Sequence, residues 1–172
     1  MSRIKSAWEI ALEKTENLEV DEEKLKAQEQ QYAGKALAGR YLNNMEMTAQ
    51  DLASQLVSDP DFRQGLVNVV LSNIVLPTDS MFAMRFDRLT DISGILNPSA
   101  GETMARLKGF LENYLEEREN YVAGIEQQIR QSNGQIDPAQ LTQIIQQNLR
   151  RLDAQYQETL DNTRETLRSL LD

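Results

Sequence analysis

Hydrophobic residues recur at three- and four-residue intervals along nearly the whole chain, and the breaks between the stripes divide it into helices. From Ser2 to Leu18, the positions Ile4, Trp8, Leu12 and Thr15 share one face with Ala7, Ala11 and Leu18, and Glu and Lys occupy the other. Asp21 is placed to cap a second helix through Leu25, Tyr32, Ala36, Leu37 and Tyr41, which ends at the turn-forming pair Asn43-Asn44. Its small residues Ala33, Gly34, Ala36, Ala38 and Gly39 suit the close approach of another backbone.

The middle of the chain reads as shorter helices. Thr48 with Asp51 starts one through Leu52 and Leu56, and Asp59-Pro60 supplies a cap followed by the residue favoured at the first helical position. The run from Phe62 to Leu76 is apolar on all faces, as in a helix buried on most sides, and Pro77 is expected to end it. Its β-branched residues make a strand at 67–71 the competing reading. Thr78 or Asp79 is expected to cap the next helix, which carries Phe82, Phe86, Leu89 and Ile92, with Met81, Met84 and Arg85 on a neighbouring face, until Asn97-Pro98 closes it.

Two long helices follow. Ser99 and Glu102 have the spacing of a capping box, and Met104, Leu107, Leu111, Tyr114, Arg118, Val122, Ile125 and Ile129 form a stripe reaching about Ser132. Asn133-Gly134 breaks it, and Asp137-Pro138 restarts helix with the stripe Leu141, Ile145, Leu149, Leu152, Tyr156, Leu160, Thr163, Leu167 and Leu171. Ile145, Tyr156 and Leu167 repeat at 11 residues, the period of nearly straight helix pairs rather than of a leucine zipper. With so short a turn between them, the two helices must be antiparallel neighbours. The fold expected is therefore all-α, a small helical bundle with a long antiparallel C-terminal helical hairpin. Residues 1–47 form amphipathic helices, 48–98 a compact helical segment and 99–172 the hairpin, together one structural unit.

Composition narrows the chemistry. The chain has no His and no Cys, which removes the usual general base, the commonest zinc ligand, thiolate chemistry and disulfides. Its net charge of -9 is spread along all three segments without a basic block, so neither nucleic acid nor a membrane surface is an expected partner. The N-terminus lacks the apolar run of a signal peptide and no stretch is long enough to span a bilayer, so the expected location is cytoplasmic.

The remaining motifs read as structure. Glu112, Glu116, Glu117 and Glu119 are the densest carboxylate cluster, but their spacing spreads them over the solvent face of a long helix. Asp59-Pro60-Asp61 fails as a calcium loop, since Arg63 and Val70 stand where ligands are required. Gly34-Lys35 and Gly39-Arg40 lack the rest of a phosphate loop. No catalytic residue, metal ligand or cofactor-binding residue is assigned.

The opening IKSAWEIALEKTENLEVDEEKLKAQE, followed by GKALAGRYL, resembles the start of a set of small helical bacterial proteins of unknown function. That resemblance covers about the first quarter of the chain. It implies a helical cytoplasmic protein and carries over no activity.

Surplus apolar stripe without a catalytic constellation points to a non-enzymatic interaction or assembly protein, self-associating through its N-terminal helices. Trp8, Leu12, Tyr32 and Tyr41 are the candidate partner-binding residues, with packing inside the chain as the competing role. The alternative function is a helical small-ligand or sensor module, with a pocket around Phe82, Phe86 and the helix at 67–74.

Overall fold

The computed structural model describes residues 22–79, 81–131 and 137–172. Trp8, Leu12 and the helix expected over residues 2–18 lie outside them. The described residues form six helices and no strand: α1 (Glu22–Asn43), α2 (Ala49–Ser54), α3 (Pro60–Asn73), α4 (Phe82–Leu96), α5 (Ala100–Gln131) and α6 (Pro138–Leu171). The fold is all-α, and the apolar run after Phe62 is helix rather than strand.

The most extensive packing joins α1 to α3, and two glycines permit it. A Cβ on Gly34 would overlap the Phe62 carbonyl oxygen and stand 3.2 Å from Gly65 Cα. One on Gly65 would overlap the Gln31 carbonyl oxygen and stand 3.0 Å from Lys35 N. Each helix thus crosses the other at backbone contact, a distance that only glycine allows on both sides. Around the crossing, Leu37, Ala38 and Tyr41 of α1 pack with Phe62, Leu66, Val70 and Leu71 of α3, and the core continues through Phe86, Leu89 and Ile92 of α4.

Local signals explain most boundaries. Thr48 and Asp51 make a reciprocal capping box at α2, with Asp51 N donating to Thr48 Oγ1 at 3.1 Å and Thr48 N donating to Asp51 Oδ2 at 2.8 Å. Asp59 accepts from the backbone of both Asp61 and Phe62 at the start of α3. Asp137 accepts from Ala139 N at the start of α6.

Three boundaries differ from the sequence expectation. Helix α3 ends at Asn73, short of Leu76, and Ile74 turns extended while staying fully buried. Ser72 and Asn73 bond back to the Val69 carbonyl, and the residue before Pro77 disfavours helix, so the last apolar residues are used as a buried connection. Helix α4 is not capped by the side chain of Thr78 or Asp79. The Asp79 carboxylate instead takes Met81 N at 2.9 Å, and Met81 stands at the cap with no side-chain bond. The Ser99–Glu102 capping box does not form, because Ser99 N donates to Asn97 Oδ1 at 2.9 Å while Glu102 pairs with Arg106. Asn97 also donates from Nδ2 to the Leu170 carbonyl at 2.7 Å, tying the turn before α5 to the end of α6.

The long helices run antiparallel as expected. Tyr114 pairs with Asp153, and Phe110 and Tyr114 stack on Tyr156 with centroids 4.9 and 5.1 Å apart. Met104, Leu107 and Leu111 of α5 and Leu160, Leu167 and Leu171 of α6 are buried in the body.

Gly34→Ala and Gly65→Ala are each expected to destabilise the protein by about 1–3 kcal/mol, because a methyl group would have to push the touching backbones apart. Gly94→Ala, at a position where a Cβ meets nothing within 4 Å, is expected to be neutral or stabilising by up to about 1 kcal/mol. Urea unfolding of the three variants checks the contrast.

Candidate functional site

Of the four candidate partner-binding residues, two lie among the described residues, and they have opposite environments. Tyr32 points outward from α1 and is 75% exposed. Tyr41 is 2% exposed, so its ring serves the inside of the chain. Its hydroxyl donates to Asp91 Oδ2 at 2.6 Å, and the Arg88 guanidinium lies 3.9 Å from its ring centroid. Arg88 also donates to the carbonyls of Tyr41 (2.7 Å), Asn44 (2.8 Å) and Met47 (2.8 Å). A cation from α4 thereby satisfies the carbonyl end of α1, where the helix dipole favours positive charge. Nothing in the periodicity of the sequence singles out Arg88 or Asp91, since both occupy polar positions of an ordinary amphipathic helix.

Below this lock, α1, the end of α3 and the start of α4 enclose a cleft of about 580 Å³. Leu42, Val69, Leu76, Phe82, Phe86 and Leu89 supply its apolar lining, and Gly39, Asn43, Asn73, Asp79 and Arg85 reach it as well. Phe82 and Phe86 thus stand where the sequence pattern predicts. Val67, Val70 and Ile74 face the core instead, and Val69 takes their place in the cleft. Most polar side chains at the cleft are already engaged. Asn43 donates to Gly39 O, Ser72 and Asn73 to Val69 O, and Asp79 accepts from Met81 N. Arg85 is exposed and makes no hydrogen bond or ion pair among the described residues. Val75, Met81 and Met84 stand exposed beside it.

A second feature belongs to the hairpin. Beyond Tyr114 no described residue of α5 is buried, and before Leu152 none of α6 is. The stripe itself continues, since Val122, Ile125, Ile129, Leu141, Ile145 and Leu149 are half-buried between the two helices. From Tyr114 to Gln131 this arm extends about 25 Å at 1.5 Å per residue. Tyr121 and Ile144 are each 43% exposed beside a groove of about 420 Å³ along it.

Neither place gathers the groups of a reaction centre. Among the described residues no three His, Cys, Asp or Glu side chains are placed to hold a metal ion, and no helix is long and apolar enough to cross a membrane. The Glu112, Glu116, Glu117 and Glu119 carboxylates are all exposed. The shifted phenols are explained by packing. Burial, reinforced by the hydrogen bond to an Asp carboxylate, pushes Tyr41 and Tyr114 each up to about 12. Burial followed by a bond to Glu117 raises Tyr156 as well.

A family of unknown function, DUF6657, has a model that matches residues 49–144. The matched region runs from α2 to the start of α6 and so includes most of the cleft and much of the arm. The N-terminal residues that carry the resemblance to small helical bacterial proteins, 4–29 and 34–42, precede it. No curated protein and no solved structure matches the chain.

The two phenols pushed up to about 12, Tyr41 and Tyr114, make alkaline stability predictable. Above about pH 10 the unfolded chain releases phenolic protons that the folded chain keeps to about 12, so the folded state binds more protons across that window. Stability is expected to fall as pH rises through it, by at most ~1.4 kcal/mol per pH unit for each phenol. Tyr41→Phe combined with Tyr114→Phe should flatten that loss in urea unfolding followed from about pH 9 to 11.

Proposed function

The chain belongs to this family of unknown function, and from its geometry we propose that it is a non-enzymatic, cytoplasmic assembly protein that self-associates through the projecting arm of its hairpin. The observation that carries this reading is the change in burial along one continuous stripe. Leu107, Leu111, Leu160 and Leu167 are at most 2% exposed within the body, whereas among the described residues the stripe of the arm is only half-buried, with the opposite helix alone against it. An isolated pair of helices leaves part of each apolar face wet, and a second pair laid against it completes a four-helix bundle.

Charge favours a second copy as that partner. The α5 side of the arm carries Glu116, Glu117, Glu119 and Glu126 against Arg118 and Arg130, a net negative stretch, whereas residues 139–151 of α6 include Arg150 and Arg151 and no acid. A two-fold axis that sets α5 of one copy against α6 of the other pairs unlike charges on both sides.

Sedimentation across a range of concentrations tests the proposal. The wild type is expected to form a reversible dimer, and Ile144→Glu to weaken it at least tenfold with helicity unchanged, since a carboxylate there would be desolvated only in the dimer. A wild type that stays monomeric at every concentration would refute it.

The cleft supports a second reading, as a small-ligand module. An apolar floor beneath the Arg85 guanidinium, which has no partner among the described residues, suits an amphipathic molecule with an acidic group. Such an acid found in the purified protein, and lost on Arg85→Ala, would favour the ligand function over assembly.

A further inference from the structure

The cleft between α1, α3 and α4 is bordered by apolar side chains that the body leaves partly wet. Leu42, Val69, Leu76 and Phe82 pack against the core on one side, yet each is only half-buried where it lines the cleft. An apolar group entering from outside would complete their burial. Polar ligands find little here, because Asn43, Ser72 and Asn73 already donate to backbone carbonyls of α1 and α3.

Charge reaches the cleft at and just before the start of α4. Phe82, Arg85, Phe86 and Leu89 are spaced at three and four residues, which sets the Arg85 stem on the same helix face as the apolar floor. Asp79 lines the cleft three residues before that helix, with its Oδ1 taken by Met81 N. No ion pair joins Asp79 to Arg85 among the described residues.

The α1 wall has a different peculiarity. Gly39 lines the cleft one turn before Leu42, and a Cβ there would meet nothing within 4 Å. Gly34 and Gly65 are needed for the contact of α1 with α3, whereas no neighbouring atom requires Gly39. Glycine inside a helix weakens it relative to alanine. What the missing side chain provides is open space within the cleft.

Resting on the ligand reading of the cleft, we propose that its occupant is a single-chain aliphatic monocarboxylate and that Gly39 sets how long a chain is accepted. The carboxylate takes Arg85, whose guanidinium offers two parallel donors to such a group. The chain runs over Phe82 and Phe86, covers the half-buried Val69 and Leu42, and extends into the space at Gly39. Asp79 sets the charge of the head. Its carboxylate repels a second negative charge, so a monoanion is preferred to a phosphate monoester, which carries more than one charge at neutral pH.

Calorimetric titration of the full chain with saturated acids from hexanoate to tetradecanoate, each below its micelle concentration, tests the proposal. Wild-type affinity is expected to rise about two- to fourfold per added methylene and then to level off at one chain length. Gly39→Leu places its side chain in open space, so circular dichroism should show the helices intact. It is expected to bring the plateau to shorter acids and to weaken tetradecanoate at least about tenfold more than hexanoate, with Gly39→Ala between it and wild type. Primary alcohols, and the acids with Arg85→Ala, should bind several-fold more weakly at every length. Decyl phosphate should bind more weakly than decanoate, a gap that Asp79→Asn narrows while keeping the acceptor for Met81 N. Affinity without a plateau, or a plateau that Gly39→Leu leaves in place, would overturn the role of Gly39. Alcohols or the alkyl phosphate bound as tightly as the acids would overturn the assignment of the head. Absence of binding by every acid would overturn the whole inference, whereas the broader ligand reading is decided separately, by whether the purified protein carries an acid of any kind.

Discussion

The crossing of α1 and α3 at Gly34 and Gly65 is the constraint on which the rest of the body depends. Because neither helix has a side chain at the crossing, their backbones touch, and the flanking residues Leu37, Tyr41, Phe62 and Leu66 close over the gap from both sides. That approach fixes where α1 ends. Its last carbonyls arrive within reach of Arg88 on α4, and Tyr41 arrives between that guanidinium and Asp91. Moving α1 outward by the width of a methyl group would draw Tyr41 away from its bonds and widen the cleft that α1 shares with α3 and α4. Core packing and the shape of the cleft thus rest on the same absence of two side chains.

Burial divides the hairpin in two. It is built from one apolar stripe, yet among the described residues only half of its length finds a third surface. Near α3 and α4 the stripe is sealed, and the aromatic cluster of Phe110, Tyr114 and Tyr156 marks where that cover stops. Arg118, one turn further along α5, donates to the Thr78 carbonyl at 3.1 Å and is the last residue of that helix seen to bond to the connection between α3 and α4. Beyond it, the same kinds of residue at the same spacing are left half-wet. Periodicity therefore reports that a helix has an apolar face, and only the tertiary arrangement reports which stretch of that face is already used.

This is also the boundary of what could be read in advance. Helix class, the antiparallel hairpin and the caps at Thr48, Asp59 and Asp137 were legible because each depends on residues a few positions apart. So was a pocket bordered by Phe82 and Phe86. Ser99 illustrates the failure: its spacing to Glu102 is right, but Asn97 takes its N–H first, and Asn97 is held by the distant Leu170 carbonyl. Tyr41 illustrates another. In sequence it is one more aromatic on an amphipathic helix, equivalent to Tyr32, and the difference between a locked core residue and an exposed one lies in Arg88 and Asp91, nearly fifty positions away.

The two aromatics of α1 show the same point on one helix. Tyr41 and Tyr32 are nine residues apart, which turns them to opposite sides of it. The inner side packs on α3 and α4, so Tyr41 is sealed and its hydroxyl must find a partner, which Asp91 supplies. On the outer side Tyr32 stays exposed among the described residues, held by the helix that Tyr41 anchors and not by packing of its own.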